Sequence, residues 1–219
     1  MQICYNSIIK LHMNGGFFMS YKVITIGRQF GSGGHNIGEK LAEKLGFTYY
    51  DKNLIDLAAE KSGMSQGVLS EVDEKAANPW LYAAMSQTGQ THISMNLCTN
   101  DALFTAQSEI IRGIAKTENA VIVGRCSDYI LKDEDVSLIN VFIYAPMEAR
   151  IKRTMERDKV NEAQAVNLIK KNDKQRKLYY DFYTDRKWAS HVNYDITLNS
   201  ETFGIDGCTE IIYNAVINK

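Results

Sequence analysis

The sequence predicts an α/β fold in which helices cover both faces of a five-stranded parallel sheet. Apolar runs of strand length alternate along the chain with longer segments of helical periodicity, and this alternation is typical of parallel sheets with crossover helices. The five predicted strands lie at residues 23–26, 47–50, 120–123, 138–144 and 193–198. Because crossover connections between parallel strands are right-handed, we expect the helices to pack on both faces of one sheet.

Composition indicates a globular protein with one main domain. The chain has 219 residues, of which 45% are hydrophobic, and this is enough to bury a sizeable core. Its net charge of −1 gives no reason to expect nucleic acid or an acidic membrane as a partner. No apolar run approaches the ~20 residues of a spanning helix. The four cysteines are widely spaced, which favours a reducing, cytoplasmic location over a disulfide framework or a zinc site.

We expect residues 1–20 to be an N-terminal extension and residues 21–219 to form a single domain. The extension has neither the basic start and apolar centre of a signal peptide nor a clear helical face. Codons for Asn14, Gly15 and Gly16 can resemble a bacterial ribosome-binding site just before Met19, so Met19 is the expected natural start. A genuine N-terminal arm is the alternative.

Within the domain, residues 52–117 contain no convincing strand. We therefore expect a helical insertion between the second and third strands. Its last helix is predicted to begin at an N-cap, Asn100, because apolar residues recur at helical spacing from that point onward.

The glycine loop, residues 27–34, has the composition of a phosphate-binding loop. It follows the first strand and leads into a helix with an apolar residue at every fourth position, which we expect to end at Gly46. Unpaired backbone N–H groups and the positive end of a helix dipole at such a junction bind phosphate. The predicted phosphate contacts are Gly31, Ser32, Gly33, Gly34, His35 and Asn36.

The glycine loop departs from the phosphate-loop pattern G-x-x-x-x-G-K-[ST]. Gly33 fits the second glycine, but Arg28 stands at the first glycine and Gly34 at the lysine, with His35 or Asn36 at the hydroxyl. Arg28 and His35 are the nearby cationic side chains that can replace the lysine. Two other interpretations stay open: a purely structural glycine turn, and a dinucleotide fingerprint G-x-G-x-x-G whose third glycine would fall on Asn36.

Charged residues follow the second and third predicted strands, where ligands bind in open α/β sheets. Asp51 is expected to hold magnesium through water, to take a substrate proton or to contact a ribose. Capping of the next helix is the structural alternative for Asp51. Arg125, which follows Gly124, would point a fork of donors into the ligand crevice, unless it pairs locally with Asp128.

Two later helices carry further charged residues. Arg150, Arg153 and Arg157 share one helix face because of their i, i+3 and i+7 spacing. That face either lines a phosphate site or lies in solvent. Asp173 and Arg176 lie one turn apart on the following helix.

Taken together, these segments resemble the cytidylate kinase-like family of P-loop nucleoside monophosphate kinases, from about residue 21 to residue 217. The segments that carry the resemblance are ITIGRQFGSGGHNIG, YYDKNLI, VIVGRCSDYIL, the helix around Asp173 and NYDITLN. The resemblance implies a P-loop kinase-type three-layer sandwich with a helical monophosphate-binding insertion and a short lid. It also implies transfer of the ATP γ-phosphoryl group to a nucleoside monophosphate, with CMP or dCMP the first guess. ATP and Mg²⁺ would be required, and small-molecule nucleotides would be the partners.

The resemblance assigns a role to most of the charged residues, and Arg28 is added to them as a replacement for the loop lysine. The expected catalytic residues are Arg28, Asp51, Arg125, Arg153 and Arg176. The expected monophosphate contacts are Asp51, Gly124, Arg125, Asp173 and Arg176. Arg150, Arg153 and Arg157 would form a basic face beside the lid, and Asp51 would contact the metal through water.

The missing loop lysine leaves a second function open. Phosphoryl transfer depends on positioning and on neutralising charge, and losing one such donor costs ~3–4 kcal/mol, or roughly 10²–10³ in rate. Either Arg28, His35 or a lid arginine supplies the charge, or the protein is a nucleotide-binding regulator with little turnover. A Rossmann-type dehydrogenase ranks third, because it leaves Arg125 and Asp173 unexplained.

Overall fold

The computed structural model of the protein describes residues 21–51 and 92–218. The predictions for residues 1–20 and 52–91 therefore lie outside the described residues. Five strands form one sheet: β1 (Lys22–Arg28), β2 (Thr48–Tyr50), β3 (Ala120–Val123), β4 (Ser137–Tyr144) and β5 (Ile196–Asn199). Their order is β2-β3-β1-β4-β5, and every neighbouring pair is parallel. The predicted five-stranded parallel sheet is confirmed.

The strand order excludes the dinucleotide-binding alternative. In the doubly wound dinucleotide fold the order is 3-2-1-4-5, whereas here β3 lies between β2 and β1. The glycine loop leaves the central strand β1 and enters a helix directly. The chain therefore has the α/β P-loop kinase fold, and the Rossmann-type dehydrogenase interpretation is wrong.

Helices connect the strands on both faces of the sheet. They are α1 (Gly34–Leu45), α2 (His92–Thr117), α3 (Ser127–Ile130), α4 (Met147–Asp158), α5 (Glu162–Thr184) and α6 (Gly204–Ile217), with a 3₁₀ turn at His191–Asn193. A capping box begins α5, in which Asn161 and Gln164 each accept the other's backbone N–H. Only residues 159–161 separate α4 from α5, at the position predicted for a short lid. Among residues 21–51 and 92–218, no helix is long and apolar enough to cross a membrane.

The helix before β3 begins earlier than the sequence indicates. We predict its start at Asn100, but α2 begins at His92 and contains Asn100. No glycine or proline occurs from His92 to Asn100, so nothing in the sequence interrupts the helix there. Of the predicted insertion at 52–117, the structure describes α2 alone, and the domain boundaries stay predictions.

Two apolar layers hold the helices against the sheet. On one face, α1 and α6 pack over the sheet, with fully buried Ile24, Ile26, Ile37, Leu41, Val141 and Ile212. On the other face, α2, α3 and α5 contribute Ile111, Ile130 and Tyr180, which pack with Leu131 over Val23 and Ile122. All four residues of β3 have no exposed surface. Both faces of the sheet are therefore covered, as the continuous apolar run of β3 predicts.

The strand register brings the predicted site residues to one edge of the sheet. Arg28 ends β1 opposite Ile143 of β4, and Tyr50 of β2 pairs with Ile122 of β3. Asp51 and Gly124 follow those two strands directly. Because parallel strands end at the same edge, Arg28, Asp51 and Gly124 lie together at the carboxyl edge.

Candidate active site

The glycine loop joins β1 to α1 at the carboxyl edge of the sheet. Gly33 caps α1 in the left-handed conformation, with φ of 81°. Ser32 has no exposed surface, and its hydroxyl donates to the Gln29 carbonyl at 2.8 Å. The first turn of α1 contains no acidic residue, so no side chain in that turn neutralises the positive end of the helix dipole. This end is suited to bind an anion.

Helices α4 and α5 hold the glycine loop from behind through a largely buried ion pair. Asp173 accepts the Phe30 N–H at 2.8 Å and the Arg150 Nη1 at 2.5 Å. The same Arg150 nitrogen donates to the Phe30 carbonyl at 3.3 Å. One ion pair therefore fixes both main-chain polar groups of Phe30. Both carboxylate oxygens of Asp173 thus bind the protein, and the nucleotide contact predicted for Asp173 stays a prediction.

Arg176 lies one turn beyond Asp173 on α5 and reaches the preceding part of the loop. Its Nη1 donates to the Arg28 carbonyl at 3.0 Å. Burial, followed by the positive charges of Arg28 and Arg125, lowers the pKa of Arg176 to about 9, although Asp173 and Asp51 act in the opposite direction. Positive charge is thus concentrated at this edge, and a bound anion would offset it.

At the carboxyl edge, the Arg28 side chain crosses from β1 towards β2. Its Nη2 donates to Asp51 Oδ1 at 3.2 Å, and Asp51 Oδ2 lies 2.8 Å from His35 Nδ1. The Tyr49 hydroxyl lies 2.8 Å from the same histidine nitrogen. Burial and the Asp51 charge raise the pKa of Tyr49 above its ordinary value, so the phenol keeps its proton. Sequence reasoning missed Tyr49, which reads there only as a strand residue.

Two glycines provide the space that the Arg28 side chain occupies. A Cβ atom at Gly34 would lie 2.7 Å from Arg28 Cβ, and one at Gly124 would lie 1.8 Å from Arg28 Nη1. Gly124 also has a φ of 79°, which disfavours any side chain. Since Gly34 holds the position of the pattern's lysine, a lysine there would collide with Arg28. Arg28 and a loop lysine therefore exclude each other in this geometry.

The Arg125 turn, formed by Gly124, Arg125 and Cys126, follows β3. All three residues are left-handed, with φ values of 79°, 58° and 54°. Non-glycine residues adopt this conformation at a cost of about 1–2 kcal/mol each. Asp128, the predicted local partner of Arg125, accepts the Tyr180 hydroxyl at 2.6 Å. Sequence reasoning also missed Tyr180 as a residue near the site.

Each of the three arginines of α4 contacts a different protein partner. Arg150 pairs with Asp173, as described above. Arg153 donates to Ser200 Oγ and the Ser200 carbonyl at 3.1 Å each, and to Glu201 at 2.8 Å. Arg157 pairs with Asp158 at 2.7 Å, and its guanidinium lies 4.6 Å from the centre of the Phe30 ring. The basic face beside the lid that is predicted for these three residues stays a prediction.

The metal contact predicted for Asp51 is compatible only with an indirect role. Within residues 21–51 and 92–218, no three or more His, Cys, Asp or Glu side chains form a group that could hold a metal ion. Both oxygens of Asp51 already contact cationic or imidazole groups. Magnesium in kinases is bound largely by substrate phosphates and water. The residues present therefore fit a metal contacted through water.

Comparison with known proteins assigns the chain to a family. The cytidylate kinase-like family matches residues 23–202. A cytidylate kinase from Archaeoglobus fulgidus is 29% identical over 199 residues, which span 88% of this chain and 93% of that protein. A cytidylate kinase from Methanococcus aeolicus is 32% identical over 108 residues, which span 48% of this chain and 60% of that protein.

A solved structure has a similar fold. It is that of an uncharacterised protein from Eubacterium ventriosum, which is 30% identical and aligns with a TM-score of 0.67. The alignment covers 90% of this chain and 99% of that one. The family match, together with the fold, makes this protein an ATP-dependent phosphotransferase of the kinase type. The chain belongs to the cytidylate kinase-like family.

Proposed function

We propose that this protein transfers the γ-phosphoryl group of ATP to a nucleoside monophosphate, with CMP or dCMP as the first candidate acceptor. The name cytidylate kinase, which the relatives carry, supports this acceptor. The observation that carries the proposal is the position of Arg28, whose stem lies beside Gly34 and whose guanidinium lies over Gly124. Arg28 thus supplies a cation where the phosphate-loop pattern has lysine.

In this proposal, the glycine loop and the N-terminus of α1 bind the ATP phosphates, with contacts at residues 31–36. Arg28 neutralises charge that develops on the transferred oxygens, and its guanidinium is a permanent planar donor. Asp51 fixes the orientation of Arg28 through their hydrogen bond. Arg176 holds the Arg28 main chain from α5. Magnesium that arrives with ATP would neutralise phosphate charge, and Asp51 would contact it through water.

Arg125 is proposed to bind the phosphate of the acceptor. It follows Gly124, against which the Arg28 guanidinium lies, and its positive charge acts on Arg176 together with that of Arg28. A phosphate monoester is largely dianionic at neutral pH and therefore needs neutralising cations rather than a general base. Two arginines at one edge match the two phosphates that a monophosphate kinase must bring together.

ADP formation from ATP and Mg²⁺ tests the acceptor. The monophosphates to compare are CMP, dCMP, UMP, AMP, GMP and dTMP, with each also omitted as a control for ATP hydrolysis. Turnover with CMP or dCMP is the expected result. ATP binding without turnover on any of the six would overturn the proposal. It would favour the alternative function, a nucleotide-binding regulator with little kinase activity, for which the absent loop lysine is the supporting observation.

A further inference from the structure

A buried hydrogen bond beneath the Arg125 turn has no part in the proposed chemistry. The Tyr180 hydroxyl donates to Asp128 Oδ2 at 2.6 Å, and the two residues are only 5% and 7% exposed. Asp128 belongs to α3, which begins directly after the turn. The turn and α3 are joined by backbone bonds, from Ser127 N–H to the Gly124 carbonyl at 3.1 Å and from Ile130 N–H to the Cys126 carbonyl at 2.9 Å. The tyrosine therefore ties this turn to α5.

The Arg125 turn depends on such support. Arg125 and Cys126 are consecutive non-glycine residues with positive φ, and residues of this kind persist only where the surrounding structure determines them. Gly124 N–H is bonded to the Ile26 carbonyl at 3.1 Å, and Cys126 is 4% exposed. The backbone conformation at Arg125 thus depends on what holds its neighbours, because it is not one that a non-glycine residue prefers.

Tyr180 lies on a stripe of α5 that also holds the glycine loop. Asp173, Arg176 and Tyr180 occupy positions i, i+3 and i+7, which lie on one side of a helix. Asp173 binds the Phe30 N–H, and Arg176 binds the Arg28 carbonyl. One helix therefore contacts the phosphate loop, the proposed catalytic arginine and Asp128, which follows the Arg125 turn.

We propose that Tyr180 and Asp128 are positioning residues, which set the Arg125 turn at a fixed place relative to the glycine loop. The inference rests on the proposed role of Arg125 at the acceptor phosphate. Tyr194 lies close enough to Asp128 and Tyr180 for both to act on its pKa, which burial raises above its ordinary value. Tyr194 also packs on the central strand, where a Cβ at Gly27 would lie 3.1 Å from its hydroxyl oxygen.

The Tyr180→Phe variant removes the hydroxyl and keeps the ring. We expect its kcat/KM for the acceptor to fall by about tenfold, since small displacements of a positioning group cost up to ~10²-fold. The dissociation constant of ATP should not change, because the contacts of Asp173 and Arg176 with the loop remain. Tyr183→Phe is the matched control. It removes a tyrosine–carboxylate bond from the same helix, to Asp101 at 3.2 Å, away from the turn.

A double-mutant cycle with Arg125→Ala separates this inference from the proposed function. If Arg125→Ala leaves acceptor kinetics unchanged, the proposed role of Arg125 fails and the inference fails with it. If Arg125→Ala impairs acceptor kinetics and Tyr180→Phe adds no further loss in that background, the tyrosine acts through Arg125. Independent losses that multiply, or equal effects of Tyr180→Phe and Tyr183→Phe, would overturn the inference while leaving the proposed function intact.

A second variant keeps the test decisive if Tyr180→Phe is too unstable to assay. Tyr180→Phe combined with Asp128→Leu removes both polar partners, so no buried carboxyl is left without its donor. The combined variant still lacks the hydrogen bond between α5 and α3, and we expect the same loss in acceptor kcat/KM with ATP binding retained. Acceptor kinetics equal to those of the wild type would overturn the inference.

Discussion

Two arginine–aspartate pairs lie at the glycine loop, and we expect them to have different roles. Arg150 and Asp173 bind the main chain of Phe30, and their side chains are 9% and 19% exposed. Arg28 and Asp51 have nearly the mirror-image exposure, 19% and 9%, but Asp51 shares its oxygens with His35. The first pair is therefore part of the scaffold, whereas the second presents its arginine at the edge where phosphate is expected.

The comparison shows that an arginine close to a phosphate loop is not thereby a catalytic residue. Arg150 and Arg28 have the same chemistry and similar burial. What separates them is the surface opposite each guanidinium: main-chain groups of the loop for Arg150, and Gly124, which has no side chain, for Arg28. The expected consequence is that loss of Arg28 acts on the reaction, while loss of Arg150 acts on folding.

The strongest test of the contrast between Arg28 and Arg150 changes the residues at positions 28 and 34 of the glycine loop. Arg28→Gly is expected to lower kcat by roughly 10²–10³, the usual effect of removing one charge-stabilising donor. Gly34→Lys alone should not raise kcat, because its Cβ would meet Arg28 Cβ at 2.7 Å. The combined Arg28→Gly and Gly34→Lys variant restores the first glycine and the lysine of the phosphate-loop pattern without that collision, with His35 still at the hydroxyl position. We expect it to recover at least about tenfold of the lost rate.

Steady-state kinetics with saturating ATP measure these three variants. The expected catalytic role of Arg28 is contradicted if Arg28→Gly retains the wild-type kcat, or if Gly34→Lys is as active alone as in combination with Arg28→Gly. Thermal unfolding of each variant serves as the control, so that a loss of rate is not mistaken for a loss of folded protein.

The expected structural role of the Arg150–Asp173 pair is tested by the free energy of unfolding. Arg150→Met keeps an apolar stem and leaves Asp173 without its cation, and breaking a buried pair in this way costs about 3 kcal/mol of the free energy of unfolding. For a protein of this size, the midpoint of thermal unfolding should fall by roughly 6–12 °C. Well below that midpoint, kcat should remain near that of the wild type.

Arg157→Met is the matched control for Arg150→Met. It lies on the same helix, its side chain is 54% exposed, and its partner is the adjacent Asp158. Surface pairs contribute little, so the free energy of unfolding should change by no more than about 0.5 kcal/mol. Urea titration of both variants and of Arg28→Gly would contradict the contrast if Arg28→Gly proved as destabilising as Arg150→Met.

Local patterns explain how much of the fold could be predicted. The apolar run of β3, the glycines after β1 and the period of α1 each mark an element within a few residues, and all three elements are present. The position of β3 between β1 and β2 could not be derived in this way, because pairing of strands far apart in sequence leaves no local mark. The start of α2 was predicted too late for a similar reason, since a favourable cap residue inside a helix is indistinguishable from one at its end.

The site residues also differ in whether local sequence could predict their role. Arg28 could be singled out because the pattern's first glycine and its lysine are both replaced, and these two changes fit one another in space. The scaffold contacts could not. Phe30 and Asp173 are 143 residues apart, and Asp128 and Tyr180 are 52 apart. Nothing in either local sequence distinguishes a carboxylate that binds the loop from one that binds a ligand.

Asp128 differs from Asp51 and Asp173, because its hydrogen-bond donor is a tyrosine and not an arginine. Burial raises the pKa of Asp128 above its ordinary value of 3.8, while the Tyr180 hydroxyl, nearby backbone N–H groups and the charge of Arg186 offset part of that rise. The folded protein therefore holds this proton more tightly than the unfolded chain. The resulting stabilisation is complete below the unfolded pKa and is lost as the pH rises through the folded pKa.

Asp128→Asn is uncharged at every pH and keeps an oxygen that can accept the Tyr180 proton. We expect its free energy of unfolding at pH 7 to lie within about 1 kcal/mol of the wild-type value, since removing a buried carboxylate offsets its desolvation cost. Its stability should also fall less than that of the wild type as the pH rises from 4 to 7. Urea titrations across this range measure both effects, with Asp133→Asn, at a side chain 85% exposed, as the control for removing a carboxylate. A loss of about 3 kcal/mol at pH 7 would mean that the charge of Asp128 stabilises the fold as strongly as that of Asp173.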